Sequence, residues 1–385
     1  MRIAVDAHAI GRHLTGNEVY VRSLLNGFAA ARDRQCEVLA YVSSPEACAQ
    51  LPAAIRTSPI SANPFWRLGC ELSMKLRRDR PDLLHVQYTA PMGCTVPVVV
   101  SVHDVSFLEH PEYFNGGRAR QLCWTVRRTV DRAARVLTVS EFSRRSILRV
   151  YGHLDEDKVV VAYNAAGAEF RPISRQAAQN AVHERFSLDR PFLLTVGDLQ
   201  PRKNQIGLIR AFAELLRACP QLRHNLVLAG KPTWFADEVE AAARASGVGE
   251  RIRMLGFVAD SDLLQLYNAC DLFVFPSFYE GFGLPALEAM ACGRAVACSN
   301  ATALPEVADS AAIFFDPYRI DEMVRALKDL LLDAELRTRM ERLGQQRAAH
   351  YSWQKTADAV LDVFREVALQ RQPATLAPSH SLAHR

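Results

Sequence analysis

Missing from this chain are most of the patterns that would place it in a redox, metal-binding or membrane-spanning class. Its nine cysteines form no CxxC pair and show no ligand spacing. An odd number of them in apolar contexts such as "LEAMACG" and "YNACDLF" fits reduced thiols in a cytosolic protein, not a disulfide frame or a zinc site. No G-x-G-x-x-G fingerprint follows the first strand-like run of either half, so a nicotinamide or flavin dinucleotide would lack its usual phosphate turn. No apolar run approaches membrane-spanning length, and the opening "MRIAVDAHAI" has no signal-peptide layout. Charge of one sign is also scarce in excess: 46 Lys and Arg stand against 42 Asp and Glu, a net of +4. That mild surplus suits anionic small molecules or an anionic membrane surface and falls short of a nucleic-acid-binding signature. A cytoplasmic protein is expected, attached to a membrane only peripherally, at its inner face.

What is present is a globular composition, 49% hydrophobic and 23% charged over 385 residues, a length that favours two domains. Short β-branched runs alternate with helical stretches. In the first half they are "RIAVDA", "CEVLAYVSS", "DLLHVQY", "PVVVSVHDV", "RVLTVS" and "VVVAYN"; in the second, "PFLLTVGD", "NLVLAGK", "RIRMLGFV", "LFVFPS", "AVACS" and "AAIFF". Their hydrophobicity is continuous, as in strands buried on both faces, and the alternation with helices predicts parallel sheets in an α/β fold of two doubly wound domains. The boundary is expected near "EFRPISRQAAQ", where Pro172 closes the last strand region, giving domains 1–172 and 173–352. A long amphipathic helix is predicted over 353–371, one that no sheet of the second half needs, and 372–385 reads as a disordered tail.

The chemistry concentrates in two loops. Residues 279–293, "YEGFGLPALEAMACG", read as strand end, loop and helix. Gly281 and Gly283 permit a close-approach backbone and Pro285 suits a first helical turn, so the junction aims unpaired N–H groups and a positive helix end at an anion such as phosphate. Glu280 and Glu288 would repel that anion unless they point elsewhere, and ribose and sugar hydroxyls are the natural targets. A second loop, "LLTVGDLQPRKNQIGLIRAF", ends a strand at Gly197 and carries Arg202 and Lys203, with Asn204 as an N-cap for the next helix. These cations are placed to neutralise a diphosphate; taken alone, the loop reads equally as a solvated surface pair. His103 opens "HDV" at the carboxyl end of a strand, where open α/β sheets bind ligands, although a lone histidine is ordinarily a packing residue. His8 and His13 have no comparable support.

The nine-residue stretch "EGFGLPALE" resembles the E-x7-E signature of glycosyltransferase family 4, the group 1 retaining transferases of GT-B architecture. The likeness extends over nearly the whole chain through "TGNEVYVRSLL", "VVVSVHDVSFLEHPEYF", "VLTVSEFSRRSI", "DKVVVAYNAAGAEFRP", "VGDLQPRKN", "CDLFVFPSFYEGFGLPALEAMACGRAVACSN", "LPEVADSAAIFFDP" and "YSWQKTADAVLDVF". It implies two Rossmann-like domains facing a central cleft, donor bound mainly by the second, acceptor by the first, and the terminal helix returning to the first. By position, Glu288 resembles the carboxylate on the ribose hydroxyls and Glu280 the one on the transferred hexose. Gly281, Phe282, Gly283 and Leu284 supply the loop around sugar and diphosphate, and Lys203 with Arg202 resembles the diphosphate clamp. Gly256 and Phe257 match the base-binding segment and His103 the active-site histidine. Two departures stand out. Asp198 occupies a position where many members carry arginine, which shifts the cationic work to Arg202 and Lys203. The N-terminal glycine turn is reduced to "TGNE", leaving Gly16 as its contact.

The resemblance implies retaining hexosyl transfer, mannose first among the hexoses, from a GDP- or UDP-linked sugar to a glycan or lipid-linked acceptor of bacterial surface polysaccharide or glycolipid synthesis. No cofactor, metal or nucleic acid is expected. Glu280 as a covalent nucleophile, on the model of retaining glycosidases, is rejected because the resemblance sets both glutamates on donor hydroxyls; front-face attack remains, with the leaving phosphate as base. Two basic stretches, "RLGCELSMKLRRDR" and "RARQLCWTVRRTVDRAAR", the latter with Trp124 among Arg118, Arg120, Arg127 and Arg128, suit either an anionic membrane face or solvated helix faces. Two rivals share the loops: a sugar-nucleotide epimerase of the same architecture, and a nucleotide-binding scaffold without turnover.

Overall fold

The computed structural model describes residues 1–12, 15–31, 36–114 and 116–370; His13 and the expected tail at 372–385 lie outside them. Two parallel sheets carry the fold. The first contains β1 (Arg2–Asp6), β2 (Glu37–Val42), β3 (Arg56–Pro59), β4 (Leu83–Gln87), β5 (Val98–Ser101), β6 (Arg135–Thr138) and β7 (Val159–Val161), in the order β3-β2-β1-β4-β5-β6-β7. The second contains β8 (Phe192–Val196), β9 (Asn225–Ala229), β10 (Ile252–Gly256), β11 (Leu272–Phe275), β12 (Val296–Ser299) and β13 (Ile313–Phe315), in the order β10-β9-β8-β11-β12-β13. Strands such as "LLHVQ", "VVVS" and "LFVF" are buried along their whole length, the state their continuous apolar runs favour. β3 is the one strand the apolar runs do not reveal. Its sequence is "RTSP" with only Ser58 buried, and such a polar, proline-ended piece is tolerated because it lies at a sheet edge.

Strand order reverses between β1 and β4 in one sheet and between β8 and β11 in the other. Open α/β sheets bind ligands in the crevice beyond the carboxyl ends at such switch points. The segments after β4, β5, β8 and β11 are therefore the ones that matter: Tyr88, Val102–Asp104, Gly197–Lys203 and Pro276–Gly283.

The chain end packs on the first half. The helix Trp353–Gln370 lies along the helix Thr15–Ala30 and also meets β4 and β6. Its Phe364 is fully buried, 5.8 Å from the Phe28 ring and 5.5 Å from His85. The helix Arg175–Phe186, in contrast, packs on the helix Asp260–Ala269 of the second half. Close approach of the first pair depends on Gly27, where an added Cβ would stand 2.5 Å from Ala357 Cβ and 3.1 Å from the Trp353 carbonyl oxygen. Overpacking of this kind costs about 1–3 kcal/mol, so Gly27→Val is expected to lower the urea midpoint despite the better helix propensity of valine. An unchanged or raised midpoint would show that the returning helix is not seated as described.

Candidate active site

Between the two halves lies a cleft of about 660 Å³. Every expected site residue except Gly256 lines it: Gly16 and His103 from the first half, Arg202, Lys203, Phe257, Glu280 to Leu284 and Glu288 from the second. Gly256 ends β10 with φ +69, a left-handed turn available to glycine, and the chain then presents the half-exposed Phe257 to the cleft.

Glu280 stands at the centre. Its Oε1 lies 2.6 Å from Lys203 Nζ and 3.1 Å from Arg202 Nη1. Arg202 also donates to the Tyr279 carbonyl at 3.1 Å, and the Glu280 N–H donates to Thr302 Oγ1 at 3.0 Å. Burial alone would raise the Glu280 carboxyl, but the two cations beside it hold it below the usual carboxylate value. Burial lowers Lys203, and the neighbouring Arg202 lowers it further. A buried charge persists only when paired and hydrogen-bonded; here one carboxylate serves two cations, and Asp104 and Asp198 of the cleft lining add their influence to Arg202 and Lys203 respectively.

The cations reach that point through two backbone devices. Gly197 adopts φ +154, and a Cβ there would stand 3.1 Å from Lys203 Cε, so glycine gives the lysine stem its path. Asn204 occupies the N-cap position of the helix Gln205–Ala218 as expected, its carbonyl accepting the Leu208 N–H at 3.1 Å, but its side chain makes no cap hydrogen bond. It closes the turn Pro201–Lys203 in the left-handed conformation, φ 52, and its Nδ2 donates to the carbonyls of Pro276 at 3.2 Å and Pro317 at 2.9 Å. These two bonds fix the orientation of the Asn204 side chain, and the bond to Pro276 fastens the cationic turn to the segment that carries Glu280.

Glu288 has a different environment. It projects from the buried face of the helix Leu284–Ala291, whose start carries Pro285 after a left-handed Gly283. Its carboxylate accepts the Tyr267 hydroxyl at 2.8 Å and has no ion pair among the described residues. Burial pushes its pKa up to about 7; the Tyr267 hydrogen bond opposes this, while Asp260 and Glu169 add to it. Two glutamates eight positions apart are thus driven to opposite sides of their ordinary value.

In the first half, burial lowers the pKa of His103 to about 4, against the opposing influence of Asp104. Its Nε2 lies 2.9 Å from Gln87 Oε1, and its ring meets Tyr20 edge-on at 4.5 Å and Tyr88 at 5.6 Å. Tyr88, a cleft residue directly after β4, has φ +60. That conformation costs a bulky side chain about 1–3 kcal/mol, and such strain gathers at functional sites. Neither Gln87 nor Tyr88 stood out in the sequence. The available signal was the polar pair "QY" ending an apolar strand beside the switch point.

The halves also touch directly. An added Cβ on Gly281 would run into the His103 carbonyl oxygen, while the Gly281 carbonyl accepts Ser140 Oγ at 2.7 Å. Glu306 accepts the N–H groups of Glu141 at 2.7 Å and Phe142 at 2.8 Å, capping a helix of the other half. Tyr279 donates to Glu109 at 2.7 Å, and Arg22 to Asp260 at 2.6 Å. Sequence reasoning reached none of these partners, because each pairs residues more than 100 positions apart.

Residues 14–169 match Glycosyltransferase Family 4 and residues 178–347 match Glycosyl transferases group 1. O-antigen chain mannosyltransferase B of Escherichia coli is 34% identical over 267 residues, which cover 69% of this chain and 70% of that protein. The chain belongs to glycosyltransferase family 4, group 1. Among solved structures, sucrose-phosphate synthase from Thermosynechococcus elongatus matches this glycosyltransferase with a TM-score of 0.78 at 19% identity, covering 96% of this chain and 100% of that one. Anabaena HepE, in complex with UDP and glucose, matches with a TM-score of 0.75 at 20% identity, covering 95% and 100%. These likenesses establish the fold: the two facing parallel sheets are the GT-B arrangement. Among the described residues of the glycosyltransferase, no helix is long and apolar enough to cross a membrane.

The raised Glu288 has a measurable consequence for the glycosyltransferase. The folded state holds its proton between the ordinary value of 4.5 and about 7, so the group's contribution to stability is intact below pH 4.5 and declines as pH rises through 7. Glu288→Gln removes that decline. The variant is expected to match wild type near pH 4.5 and to exceed it by up to about 3 kcal/mol above pH 7, read from urea unfolding at both values. Equal differences at the two pH values would contradict the assignment.

Proposed function

We propose that the enzyme transfers a hexose, mannose first, from a nucleotide-sugar donor to a hydroxyl of a glycan or lipid-linked acceptor in the synthesis of a bacterial surface polysaccharide or glycolipid, with retention of anomeric configuration. The observation that carries this reading is the trio of Glu280, Lys203 and Arg202 opening on the same cleft as Glu288, whose carboxyl is raised to about 7. The mannosyl assignment draws on the Escherichia coli relative. Residues 1–172 with the returning helix form the acceptor half, and 173–352 the donor half.

Departure of a nucleoside diphosphate from an anomeric carbon builds negative charge on the phosphates and oxocarbenium character on the sugar. Preorganised donors aimed at that charge are the largest catalytic contribution, each worth about 2.7–4 kcal/mol. Lys203, Arg202 and the amides of Gly283 and Leu284 fill that role. Glu280, held ionised, keeps an oxygen for the hydroxyls of the hexose. Glu288 holds the ribose hydroxyls, and Phe257 with its loop receives the base. Lys231 Nζ sits 5.5 Å above the Phe257 ring, a further cation at that end. The acceptor hydroxyl attacks from the front face and passes its proton to the leaving phosphate. No divalent ion is required in this scheme.

The basic helices support peripheral membrane contact in part. Trp124 is 62% exposed on the helix Gly116–Arg132 and Phe65 81% exposed ahead of the helix Leu72–Asp79. Arg67 does not share that face; it is buried 3.6 Å from Asp6. Arg128 turns inward to the carbonyls of Ala90 and Pro91.

Two experiments test the reading. The purified enzyme, in chelator, is offered GDP-mannose and the common UDP-hexoses, with and without membrane lipid extract, and products are separated by chromatography. Acceptor-stimulated release of nucleoside diphosphate with a retained linkage is expected, because acceptor binding completes the site. An altered sugar without acceptor would mark an epimerase, nucleotide affinity without turnover a scaffold, and strict dependence on a divalent ion would remove the cationic clamp as a sufficient account. In the second, Glu288→Ala is expected to weaken free nucleotide binding by about 1.5–3 kcal/mol, the worth of hydrogen bonds to a charged group, while Glu280→Ala lowers turnover more than nucleotide affinity. Equal loss of affinity in both variants overturns the division of roles.

A further inference from the structure

The cleft wall of the first half holds a hydrogen-bond chain that the proposed mechanism does not use. Asn17, next to Gly16, turns its backbone carbonyl toward Gln87 Nε2 at 3.1 Å, and Gln87 Oε1 lies 2.9 Å from His103 Nε2. A backbone carbonyl only accepts hydrogen bonds. The end of the Gln87 amide that faces it is therefore the NH2, and the end that faces His103 is the oxygen. An amide oxygen likewise only accepts, so His103 Nε2 must carry the proton. A neutral imidazole has one N–H, which leaves Nδ1 with a lone pair.

We propose that Gln87 is a positioning residue that locks His103 as the Nε2–H tautomer, so that Nδ1 meets the cleft as an acceptor for a sugar hydroxyl. Gln87 is 8% exposed at the last position of β4, well placed to hold a fixed geometry. Tyr20 and Tyr88 stand nearly perpendicular to the imidazole, at 73° and 72°, and restrain its rotation. Tyr20 is anchored in turn by a 2.8 Å hydrogen bond to Ser101 Oγ. The backbone is fixed as well, since the His103 carbonyl accepts Ser143 Oγ at 2.9 Å. The chemistry follows from the tautomer. Neutral His103 offers the leaving phosphate neither a charge nor an Nδ1 proton; it gives a directional acceptor to a hydroxyl of the hexose or of the attacking acceptor. The link to Asn17 makes the first turn of the helix Thr15–Ala30 part of the same unit, so a ligand that moves this helix end also moves His103.

The hydroxyl part of this inference rests on the glycosyl-transfer reading, whereas the tautomer does not, and the test separates them. Enzyme labelled with 15N-histidine is observed at neutral pH by two-bond 1H–15N correlation, which distinguishes the two neutral tautomers. Wild-type His103 is expected as Nε2–H. In Gln87→Met, which keeps the volume and removes the acceptor, the Nε2–H pattern is expected to give way to a mixture, with kcat for transfer falling about tenfold, the worth of one hydrogen bond, and free nucleotide affinity unchanged. A wild-type spectrum showing Nδ1–H overturns the proposal outright, and stands as a test even if Gln87→Met does not fold. Full kcat in a variant whose tautomer has changed, or a loss of kcat with the tautomer intact, overturns the link to catalysis. Absence of transfer from every sugar nucleotide in the wild type would instead remove the glycosyl-transfer reading.

Discussion

One buried carboxylate shared by two half-buried cations is the interaction on which the rest of the cleft depends. Glu280 satisfies Lys203 and Arg202 together, and desolvating three charges is tolerable only because they sit within hydrogen-bond distance of one another. Removing Glu280 would leave two cations side by side without compensation, whereas removing either cation still leaves the other paired with Glu280. The backbone around the trio is built to keep it. Gly197 leaves room for the lysine stem, Asn204 fastens the turn to the segment after β11, and Thr302 holds the Glu280 amide. Two cations held at one carboxylate give this end of the cleft donors for an anion, and on the proposed reading that anion is the diphosphate of the donor.

The same loop also joins the halves. Gly281 is pressed against the His103 carbonyl, so the residue after Glu280 forms part of the wall of the other domain. Ser140, Glu306 and Tyr279 add hydrogen bonds on that side, and Arg22 with Asp260 closes the other. Donor loop and acceptor wall are thus one mechanical unit. A substitution at Gly281 would act on both at once, through approach distance and not through lost side-chain chemistry.

Much of the fold could be read before any coordinates because a buried parallel strand announces itself as a continuous apolar run, and "LFVFPS" or "PVVVSVHDV" can scarcely be anything else. β3 escaped for the converse reason: "RTSP" buries one residue and has no pattern to show. In the site, Glu280, Glu288, Lys203 and Arg202 were legible as charges flanking glycine turns at strand ends, a combination that wastes free energy unless a ligand uses it. Asn204 was legible as the N-cap position it occupies, but not its side-chain partners, Pro276 and Pro317, which are far away in sequence. Gln87 was not legible at all. Its importance comes from two partners on different segments, Asn17 and His103, and no local pattern encodes such a meeting.

The central claim is that the Glu280 trio and Glu288 divide a nucleotide-sugar donor between them, phosphates at one and ribose at the other. The most direct measurement is a crystal structure of the enzyme with GDP. The account predicts the phosphate oxygens on Lys203 and Arg202 and both ribose hydroxyls donating to the Glu288 carboxylate. A nucleotide bound with its ribose away from Glu288, or with its phosphates off the two cations, would contradict it.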